Sequence, residues 1–132
     1  MTKTLAGLMA ASVFALATAT AIAHHSFSAE FDADKPFIMK GSVTKIEWMN
    51  PHTFFYIDVT GPDGKVVNWG MEMGSPNGLM RAGWTRNTLK IGDEVSVEGA
   101  QAKDGSNIGN ARSVVTGDGK RLFAASSQGQ TP

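Results

Sequence analysis

The clearest alternation of apolar and polar positions lies at residues 52–60 (HTFFYIDVT) and reads as a strand with two unlike faces. Thr53, Phe55, Ile57 and Val59 share one face; His52, Phe54, Tyr56 and Asp58 share the other. Residues 65–73 (KVVNWGMEM) repeat the pattern, with Val67, Trp69, Met71 and Met73 on one side. Glu72 then points the other way, toward the face bearing His52. Gly61-Pro62-Asp63-Gly64 between the two runs has the composition of a hairpin turn. An earlier strand-like run at 37–48 carries Val43, Ile46 and Trp48, with Gly41 as a bend or bulge and Asn50-Pro51 as the following turn.

Gly74-Ser75-Pro76-Asn77 interrupts the strands. Ser75 suits an N-cap, Pro76 the first helical position and Gly83 the C-terminal stop, which predicts a short helix over 76–82 with Leu79 and Met80 inward. Further strands follow at 94–99, where Val95 and Val97 face inward, at 108–116, and briefly at 120–123, divided by Gly- and Asp-containing turns. Three strands, a helix, then two or three strands is the element order of an OB-like fold. The expected architecture is therefore all-β with a small α contribution: a five- to six-stranded Greek-key barrel with its helix between strands 3 and 4. An open antiparallel sandwich is the alternative.

The first 23 residues differ from the rest. Lys3 supplies a positive start, residues 5–16 are apolar, and Ala21-Ile22-Ala23 has the small-x-small form that signal peptidase accepts. Thr18 and Thr20 break the apolar run before it reaches the length of a membrane span. The expectation is a cleaved export signal at 1–23, hence a periplasmic protein without a stable membrane anchor. An extended arm at 24–36, anchored by Phe27 and Phe31, is expected to precede the barrel at 37–123, and a small polar tail at 124–132 is expected to be disordered. Such a chain suffices for one domain. Twelve basic residues against twelve acidic ones argue against a partner held by phosphate neutralisation, hence against nucleic acid. The chain has no cysteine, which excludes disulfides and thiolate chemistry.

Several stretches taken together resemble an exported bacterial family catalogued as domain of unknown function 6152. They are AHHSF, EFD and KP in the arm, EW-x-NPH at 47–52, GSPN at 74–77, GW at 83–84, GDEV at 92–95 and DGS at 104–106. The resemblance spans nearly all of the mature chain and implies export and a compact β-domain. It implies no catalytic residue.

Cleavage after Ala23 would give His24 a free α-amine beside its imidazole. With His25 and His52 this makes a nitrogen-rich donor set, which favours Cu(II) among the first-row divalent ions. Glu30 and Asp32 are possible oxygen donors, and Met71 and Met73 possible thioether donors. The competing reading makes the histidines an ordinary polar start and a turn residue, and the methionines core. Phe54 and Tyr56, with Trp84, form a possible ligand or partner face; for Trp84, as for Trp48 and Trp69, barrel core or plug is the reading favoured in so small a domain. No nucleophile or paired carboxylates emerge, so no catalytic set is expected, and a copper oxygenase built on His24 is the weakest of the readings. The leading expectation is a non-enzymatic periplasmic binding or accessory module that engages a protein partner or small ligand. The alternative is a carrier or sensor of copper, or of another transition metal, using His24, His25 and His52.

Overall fold

The computed structural model describes residues 27–125. One helical turn, α1 (Phe27–Glu30), leads into a long strand β1 (Phe31–Glu47), followed by β2 (Phe54–Thr60) and β3 (Val66–Glu72). A second helix α2 (Pro76–Arg81) separates these from β4 (Glu94–Ala102), β5 (Ile108–Val115) and β6 (Arg121–Phe123). The strands form one sheet in the order β3-β2-β1-β4-β5-β6, and an added β3–β5 pairing closes it into a ring. That closing pair is parallel, Gly70 to Glu72 against Ile108 to Asn110; the other ladders are antiparallel. This is the OB-like barrel, with its helix between the third and fourth strands as the element order predicts.

β1 is long enough that its two halves serve different partners. Ser42 to Glu47 pair with β2, and Phe31 to Ser42 pair with β4. The register slips between Asp32 and Pro36, so Ala33 to Lys35 leave the ladder there. The second half of the expected arm is therefore barrel strand: Phe31 is buried and pairs with Ala102.

One core fills the ring. Phe55 and Ile57 of β2, Met71 of β3, Val97 of β4 and Val114 of β5 are all fully buried, as period-two alternation requires. Ser75 caps α2 by accepting from the Gly78 N–H at 3.2 Å, and Gly83 follows the helix in the left-handed conformation. Leu79 plugs the barrel, but Met80 is 53% exposed, contrary to its expected inward place. A helix this short turns only a narrow stripe toward the core, and Leu79 fills it. Trp84, placed on the ligand face as one reading, is 3% exposed within the core, and its Nε1–H donates to the Phe123 carbonyl at 2.8 Å. Ala124, expected to open the tail, is fully buried: its N–H donates to the Arg112 carbonyl, and its own carbonyl accepts from Gly74.

Candidate functional site

On the outer face of β1–β2–β3 the registers align side chains in rows across the strands. One row runs Glu47, Phe54, Glu72, Asn110; the next runs Lys45, Tyr56, Gly70, Ile108. Gly70 makes the second row possible. A Cβ there would lie 2.9 Å from Ile108 Cδ1 and 3.0 Å from Tyr56 Cε1, so these two side chains meet over the bare backbone. Phe54 and Tyr56 are half-buried, consistent with an aromatic face on the side of β2 away from the core.

Glu72 follows from the same alternation that buries its neighbours Met71 and Met73 in the core. It faces the opposite way, yet it is only 6% exposed. His52, at the end of the β1–β2 loop, is held against it with Nδ1 2.8 Å from Oε1. An ionised carboxylate can only accept, so Nδ1 carries the shared proton and Nε2 is the nitrogen left for another partner.

Glu72 lines a cleft of about 660 Å³. Its walls are Ala29, Glu30 and Phe31 from the arm, Phe54, Ile108 and Ala102 from the sheet, and Lys103, Asp104 and Ser106 from the β4–β5 loop. The arm is strapped to that loop: the Lys103 N–H donates to the Glu30 carbonyl at 2.9 Å, and the Lys103 ammonium donates to the Ser28 carbonyl. Phe27 and Phe31 pack with ring centroids 5.6 Å apart. The Ser106 hydroxyl and N–H both donate to Asp104 Oδ1, at 2.6 and 2.9 Å, and hold that carboxyl below its ordinary range.

Beside the cleft, the Tyr56 hydroxyl donates to Glu47 Oε2 at 3.1 Å, and the Lys45 ammonium pairs with Glu47 at 2.5 Å while lying 5.2 Å from the Tyr56 ring centroid. The Lys45 and Tyr56 hydrogen bonds push the Glu47 carboxyl down. Burial first, and then the Glu47 hydrogen bond, push the Tyr56 phenol up. A second concavity of about 430 Å³ lies at the other end of β4 and β5, lined by Asp93, Glu94, Thr116 and Asp118 among others.

The sequence-predicted residues are thus only partly brought together. Phe54, Glu30 and Glu72 meet around one cleft, His52 touches Glu72, and Tyr56 lies on the neighbouring row. Asp32 sits on β1, where it accepts from the Asp34 N–H at 3.0 Å and lies 4.0 Å from the Lys35 ammonium. Met71 and Met73 are core residues, and Trp84 is on no outer face. His24 and His25 lie outside the described residues. Among the described residues no three His, Asp or Glu side chains gather as a metal-holding group, and no helix is long and apolar enough to cross a membrane. Ile108, Lys103 and Asp104 were not singled out from the sequence. The Asp104-Gly105-Ser106 turn was legible, but its packing against the arm depends on the Phe31–Ala102 pairing.

No curated protein matches the chain. A family model described as a family of unknown function matches residues 11–111, more than half of the chain. The chain belongs to that family, DUF6152.

Proposed function

We propose that this chain is an exported, non-enzymatic binding module that holds a small ligand in the cleft between the arm, the β4–β5 loop and the β2–β3 face. The observation that carries the reading is Glu72, a buried carboxylate on the wall of a cleft that sets apolar side chains (Phe31, Phe54, Ile108) beside polar ones (Glu30, Lys103, Asp104, Ser106). A few placed polar groups among apolar walls, in roughly 300–1,000 Å³, is the usual make-up of a small-molecule site. The same face and loop bind ligands in other OB-folds, but carboxylates here oppose a phosphate backbone. Export rests on the character of residues 1–23 and places the module in the periplasm. The test is an NMR titration with the low-molecular-weight fraction of a periplasmic extract. Amide shifts confined to Phe54, Lys103 and Ile108, and lost in a folded Ile108→Trp variant, are expected; shifts that survive that filling substitution would sink the proposal.

A second reading, a copper-binding carrier or sensor, is favoured by the His52–Glu72 contact. Metal-ligating histidines commonly give their other ring nitrogen to a carboxylate, which fixes the tautomer and raises ligand basicity. In sequence, His24 and His25 come just before Phe27, at the start of the arm whose later residues wall the cleft. His52 Nε2, the two imidazoles and the amine freed by cleavage after Ala23 would be the donors. With an authentic His24 start, tight one-to-one Cu(II) uptake seen in the d–d band and lost in His52→Ala is expected. Weak uptake that persists in His52→Ala would leave a generic amino-terminal complex and exclude this site.

A further inference from the structure

We infer that the arm is a lid on the cleft: residues 27–32 swing as one piece about a hinge at Ala33, Asp34 and Lys35, and the cleft widens when they do. This rests on the cleft being a binding site and adds what controls entry to it. Ala29, Glu30 and Phe31 make up the wall that moves. The rest of the lining belongs to β2, β3 and the β4–β5 hairpin, which stay.

The β1–β4 ladder is interrupted where such a hinge needs it. Phe31 and Asp32 pair with Ala102 and Gln101, and pairing resumes at Pro36 opposite Ala100, the next residue of β4. Ala33, Asp34 and Lys35 are extra length on one strand, all exposed, so their dihedrals can change without breaking a ladder bond. Pro36 has a fixed φ and begins the part that stays. The lid also has apolar packing of its own. Phe31 is buried, with Phe27 against it at 5.6 Å, but it stands apart from the core that fills the ring, whose first member along the chain is Phe37. Lifting residues 27–32 therefore separates this local packing from the β4 end and leaves the barrel core intact. The catch is Lys103. Its N–H donates to the Glu30 carbonyl and its ammonium to the Ser28 carbonyl. Lys103 is exposed, so water replaces its bonds as the lid lifts and their net cost is small. Local openings of this kind take less free energy than global unfolding, and lids move in microseconds to milliseconds.

The test is relaxation-dispersion NMR on the labelled mature protein with no ligand added. The amides of Glu30, Phe31, Asp32 and Lys103 are expected to report one exchange rate and one minor population, and those of Ile38 and Val97, on the far side of the hinge, none. Lys103→Met keeps the apolar stem and removes the bond to the Ser28 carbonyl; it should raise the minor population by up to about tenfold, as loss of one hydrogen bond implies. Asp32 and Gln101 stand directly opposite each other, and the chain has no cysteine of its own. Oxidising the double variant Asp32→Cys, Gln101→Cys should therefore quench the exchange, and reducing it should bring the exchange back. No exchange at the arm amides in either the natural chain or Lys103→Met would overturn the lid. So would unrelated rates at those four amides, or exchange that runs on through Ile38. The binding reading is judged separately by the extract titration. A lid over a cleft whose amides no extract fraction shifts would sink that reading and leave the hinge, whereas shifts at the cleft beside a rigid arm would do the reverse.

Discussion

Two side chains, one just before β2 and one on it, test the structure at the scale of single residues. Thr53 is fully buried, and its hydroxyl has no hydrogen-bond partner. A buried unsatisfied hydroxyl costs on the order of 1 kcal/mol or more, so the isosteric Thr53→Val should stabilise the fold by about 1 kcal/mol in urea unfolding; destabilisation would mean that the hydroxyl has a partner. Tyr56 is the sole tyrosine, so its phenol can be followed alone by ultraviolet titration. Its ionisation should fall above the ordinary value of 10.0, because burial and the Glu47 hydrogen bond both favour the neutral form. Since the folded value is raised, this contribution to stability is complete below the unfolded value and is lost as pH rises through the folded one. Glu47→Gln should bring the midpoint partly back, because burial, the larger cause, remains. Period-two alternation made Glu72 legible, since the strand that buries Met71 and Met73 must turn it outward. Trp84 was legible only through the small size of the domain, which favours the core; after a helix stop, nothing local says whether an indole plugs the barrel or faces solvent.

At the scale of elements, hairpins and helix were readable because local chemistry fixes them: the Gly61–Gly64 turn, and the Ser75 cap before Pro76. Long-range pairing was less readable. β1 begins at Phe31, six residues before the expected strand, because its partner is the end of β4, and the bulge before Pro36 hides the pattern from any local window. The β4–β5 ladder has its own irregularity at Gly99. A Cβ there would stand 2.0 Å from the Asn110 carbonyl oxygen and 2.9 Å from Phe37 Cζ. Backbone cannot yield as a flexible side chain does, so Gly99→Ala should cost about 3 kcal/mol, in the upper range for overpacking. A change under a few tenths of a kcal/mol in denaturant titration would show that the two strands separate more easily than their register implies.

Across the whole molecule, Trp84 lies within the core and Trp48 and Trp69 pack against it from other elements. Unfolding should therefore be a single transition, with tryptophan fluorescence and far-ultraviolet circular dichroism coinciding at every denaturant concentration. Two separated transitions would mean that part of the barrel melts as a unit of its own.

The strap between arm and β4–β5 loop also has a consequence in time. Phe31 and Ala102 pair across roughly seventy residues of chain, a closure that costs loop entropy before any contact rewards it. Local hairpins have no such delay, so this end of the ladder forms late in folding and frays early. The cleft is walled by that ladder end, which makes it the youngest part of each folded molecule. Hydrogen exchange at the Lys103 amide, bonded to Glu30, would record how often it is momentarily unmade.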